Sequence, residues 1–308
     1  MSEGAARTMA SISHVQNEPC NIRRLSAQRY LYSRTKRVAL LQPLLAGATA
    51  VGGAGCVAVS PEALPWVALA GILVPLINIG VLDPLQDHFR SSAANMQEDF
   101  DCHVLGLPWN EVLGGHRPAT EDVHEAAKET SGRSETPVEN WYPEVVDSLP
   151  LHEARVVCQR TNCRWDSKLR HGYRRFILAA MAGVGVFVVV VGFVTEMSLQ
   201  KFVLAVAAPL SPTLLWAVGE ARRQKNAAGA LDCLREFVEA FWREILANAL
   251  TEAVAMSRSR ELQNGILLHR RTNPPVLEWI YRRRRQKYEE LMRLSAEEMV
   301  AQIKQARG

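Results

Sequence analysis

The segment FILAAMAGVGVFVVVVGFV, Phe176–Val194, decides the fold: it carries no charge and scarcely a polar atom. After the polar link TEMSLQK, a second uncharged run, FVLAVAAPLSPTLLWAV, fills Phe202–Val218. A helix needs ~20 apolar residues to cross a hydrocarbon layer of ~30 Å, and each run is close to that length. A backbone facing lipid must satisfy its own hydrogen bonds, so two such runs on so short a link predict a helical hairpin. The alternative is a buried hairpin of a soluble helical protein. Core helices of soluble proteins ordinarily carry polar residues along one face, whereas these runs are apolar on every face.

Working outward, Val38–Val59 is a further apolar run rich in Gly and Ala, and Trp66–Leu82 is apolar except for Asn78. The predicted class is therefore an all-α membrane protein: two transmembrane helical hairpins, residues 38–82 and 176–218, with a helical cytoplasmic domain. Residues 1–20 read as a disordered leader and 21–37 as a basic cytoplasmic helix. Residues 83–175 read as a cytoplasmic helical segment with a flexible loop at 114–137, and 219–308 as C-terminal cytoplasmic helices. Basic residues set the orientation. Arg23, Arg24 and Arg29 precede the first span, Arg174 and Arg175 the third, and Arg222, Arg223 and Lys225 follow the fourth. The hairpin loops are nearly free of Lys and Arg, which predicts both termini in the cytoplasm.

The composition excludes several classes. A net charge of +4 argues against bulk nucleic-acid binding, and six scattered cysteines are not a secreted disulfide framework. Spans without ionisable residues argue against an ion-coupled transporter. No G-x-S-x-G, H-E-x-x-H or P-loop is present, so no enzyme is expected. Cys158 and Cys163, with His152 or His171 nearby, lack zinc-site spacing, so neither metal nor other cofactor is expected. Glu98, Asp99 and Asp101 read as a solvated face of an amphipathic helix that continues the second span, with Leu85, Phe89, Met96, Phe100 and Val104 on its apolar face. The stripe Leu231, Leu234, Val238, Phe241, Ile245 and Ala249 on a later helix suits packing against that same continuation.

One basic cluster admits two readings. Arg160, Arg164, Trp165, Lys168 and Arg170 share one helix, and Arg270 and Arg271 precede the helix-ending Asn273-Pro274-Pro275. Arginine forks match phosphate oxygens and tryptophan faces stack on bases, a combination suited to a small phosphorylated nucleotide. Cations near an inner leaflet also meet lipid head groups, and on the residues alone that is the simpler account.

Four stretches carry a resemblance: QEDFDCHVLGLPWN (Gln97–Asn110), NWYP (Asn140–Pro143), CQRTNCRWDSKLR (Cys158–Arg170) and LQNGILLHRRTNPPVLEWIYRRRRQKYE (Leu262–Glu289). In order and placement around two hairpins, the chain resembles the four-transmembrane effectors associated with SMODS nucleotide cyclases of bacterial anti-phage systems. The resemblance implies an inner-membrane protein acting in abortive infection. A partner cyclase makes a cyclic oligonucleotide, which, directly or through a sensor, opens the effector and permeabilises the bilayer. It strengthens the nucleotide reading of Arg160, Arg164, Trp165, Lys168, Arg170, Arg270 and Arg271. A pore would need a homo-oligomer, and Thr49, Asn78, Ser211 and Thr213 are the polar groups available to line it. The competing expectation is a membrane-anchored scaffold without a pore.

Overall fold

The computed structural model describes residues 11–59, 62, 64–130, 138–194, 196, 198–276 and 278–307, and every regular element among them is a helix. Within those helices the side chains are described except at 53–54, 56–59, 64, 67–68, 164–166, 191, 200–201, 204–205, 208–209 and 278–289.

Helix α1 (Ile12–Gln16) is capped by Ser11, whose hydroxyl accepts from the His14 N–H. Ile12 and Gln16 lie one turn apart and are both buried. Gln16 donates to Tyr142 O at 3.1 Å and accepts from Tyr142 N–H at 2.7 Å. The leader expected to be disordered over 1–20 is thus ordered helix from Ile12, because those two side chains have a place in the core; residues 1–10 lie outside the described part. Helix α2 (Pro19–Val59) opens on a proline, where a missing N–H costs nothing, and carries the basic segment and the first apolar run as one rod.

Helix α3 (Leu64–Ile77) runs through a π turn at Asn78–Leu82 into α4 (Asp83–Val104). Pro75 and Pro84 each withhold a backbone donor on either side of that turn. Gly106 ends α4 in the left-handed region (φ +63), with Leu107 N–H reaching back to Cys102 O at 2.9 Å. Asn110 caps the short α5 (Glu111–Gly114).

Helix α6 (Thr120–Lys128) occupies much of the expected flexible loop 114–137. Val123 and Ala126, at i and i+3, bury against Ala27 of α2 and Met96 of α4, and the Thr130 hydroxyl donates to Ser26 O at 2.9 Å. Two apolar side chains among polar ones suffice to dock a helix this short. Residues 131–137 lie outside the described part.

A 3-10 turn at Glu144–Ser148 leads to α7 (Leu151–Val194), one unbroken helix from the enclosed core into the apolar run. Helix α8 (Leu199–Phe202) and a π turn at Val203–Ala207 precede α9 (Ala208–Leu246). Then come α10 (Glu252–Thr272), capped by Thr251, and α11 (Glu278–Arg307). Of the α9 stripe, Leu234 and Val238 cluster with Cys163 of α7 and with Leu262 and Ile266 of α10, whereas Phe241 and Ile245 share the core cluster that holds Phe100 and Val104 of the expected continuation of the second span. Ala249 lies beyond the helix and is exposed.

The molecule has two zones. In one, α1, α2, α4, α7, α9, α10 and α11 enclose a core containing Leu25, Phe100, Tyr142, Val157, Phe241 and Met299. Each fully buried large apolar side chain of this kind contributes about 1.5–3 kcal/mol. In the other, the apolar ends of the helices face outward: Phe187 is 67% exposed, Phe193 81% and Trp66 72%. Two helical stretches among the described residues, Leu69–Val104 and Leu151–Val194, are long and apolar enough to cross a membrane. Only 6% of the most apolar window of the second is buried within the chain, whereas the core hairpin of a soluble protein would be enclosed.

Burial also orders the thiols. Cys102 and Cys158 are buried, and desolvation pushes both thiols well above their ordinary range, with Glu98 adding to the shift at Cys102 and Asp101 at Cys158. Cys233 is exposed. In the folded protein a maleimide is expected to label Cys233 quickly and to reach Cys102 and Cys158 only after denaturation; mass spectrometry of timed digests reads this directly.

Candidate functional site

The carboxylates of α4 lie in the zone with the enclosed core. Glu98 is 1% exposed and Asp101 0%, so the solvated face expected for this cluster is in fact interior. The reason lies across the interface on α10, where Arg260, Gln263 and Arg270 recur on one helical face. Arg270 donates to Asp101 Oδ2 at 2.5 Å, and Arg260 to Glu98 Oε1 at 2.6 Å. Gln263 lies between them and donates to Glu98 Oε2 at 2.8 Å and Asp101 Oδ2 at 2.9 Å. The Tyr142 hydroxyl donates to Asp101 Oδ1 at 2.7 Å, and Asn162 of α7 donates to that hydroxyl at 3.2 Å. Gln159 of α7 donates to Gln263 Oε1 at 3.1 Å. Asp99, on the other side of α4, meets Arg24 of α2 at 2.5 Å.

The electrostatics follow from enclosure. Burial works against the Arg270 charge, but Asp101, Tyr32 and Tyr142 together outweigh that and leave the guanidinium held above its ordinary value. Burial, reinforced by Asp101, raises the Tyr142 phenol, which stays a neutral donor. Such a network is costly to leave half satisfied, so its members move together or not at all.

Beside the network, α4, α5 and α10 line an open cavity of about 460 Å³. Arg90, Asp87, Val112, Leu113, Leu268 and Arg271 are among its walls. Arg90 donates to Arg271 O and to Asp87 Oδ1, each at 2.7 Å, and Arg271 donates to Leu113 O. Desolvation lowers the Arg90 pKa despite the nearby Asp87, which is itself mostly exposed. A partly desolvated cation with weak counter-charge is a good partner for a phosphate oxygen.

The structure spreads the sequence-predicted binding residues over several places. Arg160 is braced against Glu239 of α9, with nitrogens at 2.7 and 2.9 Å, and reaches Ser295 of α11. Arg170 is buried and donates to Gln224 Oε1 at 3.0 Å and Pro274 O at 2.8 Å. Lys168 is exposed on α7; Arg164 and Trp165 lie in the same helix, their side chains outside the described part. Arg270 belongs to the charge network, and of those with described side chains Arg271 alone lines the cavity. Arg90 was legible only as one polar residue of an amphipathic helix; its role depends on α10 arriving beside it.

Of the polar span residues, Thr49 donates back to Leu45 O at 2.8 Å and Ser211 is exposed. Asn78 Oδ1 and Thr213 Oγ1 are turned inward and have no hydrogen-bond partner among the described residues. Cys158 and Cys163 fall in separate core clusters; His152 lies 3.4 Å from Glu153 and His171 3.6 Å from Asp232.

Fold and site together define a membrane-associated helical protein whose apolar helices grow out of a buried charge network. A family model for the SMODS-associating 4TM effector domain matches residues 10–299, and the chain belongs to that family. It is similar to a Bacillus cereus (strain VD146) protein described as a probable CBASS effector molecule, with 25% identity over 290 residues, covering 90% of this chain and 94% of that protein. No solved structure matches. The stretches that carried the resemblance meet at one place: Glu98 and Asp101, Tyr142, Gln159 and Asn162, and Gln263 and Arg270 come one set from each.

Proposed function

We propose that this protein is a non-enzymatic membrane effector of bacterial anti-phage defence. It lies in the cell membrane as two hairpins with both termini cytoplasmic, and permeabilises the bilayer when a cyclic oligonucleotide from a partner cyclase binds it. Family membership and the description of the Bacillus cereus relative support the defence role. The observation that carries the gating is continuity: α4 and α7 both leave the charge network and run without a loop into apolar segments, α4 through its π turn and α7 directly. A rotation imposed at the network is passed to the spans, since a packed helix moves as a rigid body.

The cavity beside α4 is where the messenger would act. It offers two guanidiniums, and its volume lies in the ordinary range for small-molecule sites. The opened spans would assemble from several copies, with Asn78 and Thr213, inward-facing and unpartnered among the described residues, exchanging an apolar setting for water.

The test is dye release from liposomes bearing the full chain, with a panel of cyclic oligonucleotides. Release with one messenger is the expected result; no release with any of them, from demonstrably inserted protein, rejects the pore and leaves the scaffold. Arg90→Ala and Arg271→Ala should each weaken messenger binding at least tenfold. A charge-assisted hydrogen bond contributes about 1.5–3 kcal/mol, and about 1.4 kcal/mol corresponds to tenfold. Unchanged affinity in both would remove the cavity from the site.

A further inference from the structure

Where the chain enters α2 and α4 ends, Glu18, Cys20 and His103 bring a carboxylate oxygen, a thiol sulfur and an imidazole nitrogen within 4.8 Å of one another. All three are half-buried, and Cys20 Sγ lies 3.7 Å from Glu18 Oε2. We propose that they form a binding site for a zinc-class divalent cation that clips the start of α2 to the end of α4.

The donor set selects the metal. Sulfur and imidazole favour zinc and its transition-metal neighbours over magnesium or calcium, which take oxygen cages. Three protein ligands on a tetrahedral ion leave a fourth position for water. The charges close: a Cys20 thiolate and the Glu18 carboxylate neutralise a dication, and binding releases the Cys20 proton to solvent.

A second observation comes from outside the trio. The Asn21 amide sits on His103 Nδ1, with Oδ1 at 3.1 Å and Nδ2 at 2.9 Å. That amide is itself held, since Nδ2 donates to Val15 O at 2.6 Å and Oδ1 accepts from Arg24 at 2.7 Å. In the tautomer whose Nδ1–H donates to Asn21 Oδ1, Nε2 would be the ring's ligand atom, and a ligating histidine ordinarily keeps such an orienting partner. Arg24, which completes the chain of contacts, is paired with Asp99 at 2.5 Å, so its charge does not oppose the cation unscreened. The clip would tie the α2 entry to the helix that carries the charge network.

Full-length protein in detergent, stripped with a chelator and retitrated with zinc alone and with cobalt alone, tests the site. The expected result is one zinc per chain and, with cobalt, a near-ultraviolet thiolate charge-transfer band. Cys20→Ser should abolish the band, Cys233→Ser should retain it, and Asn21→Ala should weaken zinc binding about tenfold or more. A wild-type chain without the band, or a band that survives Cys20→Ser, overturns the proposal. The wild-type spectrum decides the matter even where a variant fails to fold, and dye release is not needed for it.

Discussion

Asp101→Ala is expected to lower the unfolding free energy by about 3–5 kcal/mol, a large share of the stability of a single domain. The substitution takes the carboxylate from the buried Arg270 guanidinium and the acceptor from the Tyr142 hydroxyl in one step. It also removes one of the two acceptors of Gln263, the other being Glu98. Among the described residues Asp101 is the carboxylate that meets Arg270, so the loss is that of an uncompensated buried charge, not of one hydrogen bond. Arg270→Met should cost less, because the Asp101 carboxylate that it leaves without a cation still accepts from Gln263 and the Tyr142 hydroxyl. The double variant should be less unstable than the sum of the two, the mark of a coupled pair. Denaturant unfolding of detergent-solubilised protein, followed by circular dichroism, measures all three. A loss under about 1 kcal/mol for Asp101→Ala would contradict the burial on which the network rests.

Lys168→Pro is expected to abolish messenger-triggered dye release while leaving the protein inserted. Lys168 is exposed, near the middle of the unbroken α7, between the enclosed core and the apolar run. A proline there removes one helical hydrogen bond and clashes with the preceding turn, at a cost of about 3 kcal/mol or more, and replaces a rigid rod by two segments with a joint. Lys168→Ala keeps the rod and should release dye as the parent does. The pair separates two roles for this position: if the alanine variant lost messenger binding, the α7 cation cluster would contain the ligand contact. If the proline variant still released dye at the parent rate, continuity of α7 would not transmit the signal.

Much of the architecture was readable from one dimension. Helical class, the apolar runs, the break at Asn273-Pro274-Pro275 and the continuity of α7 all came through, because each depends on neighbours within a few residues. The apolar run Phe176–Val194 is uniform on every face, and a helix with no polar face has a single consequence, that its outside meets something other than water. The short docked elements were not readable. Ile12 and Gln16, or Val123 and Ala126, are two side chains each in a polar stretch, and only the surface waiting for them makes them order a helix.

The charges mark the limit most clearly. In sequence, Glu98 and Asp101 on an amphipathic helix look as they would on any wetted face, and Arg160, Arg170 and Arg270 look like free cations. Which of them stay free depends on partners far along the chain; Arg270 reaches Asp101 across 169 positions. A carboxylate carries no local sign of whether it will face solvent or a guanidinium, since both choices satisfy it and only the packing of α10 on α4 selects one. What the sequence by itself determined is therefore the apolar half, where the hydrophobic effect acts on composition and period alone. What only the tertiary structure decided is the polar half: pairing is specific in distance and direction, and it made Arg160, Arg170 and Arg270 helix braces and left Arg90 and Arg271 at a cavity.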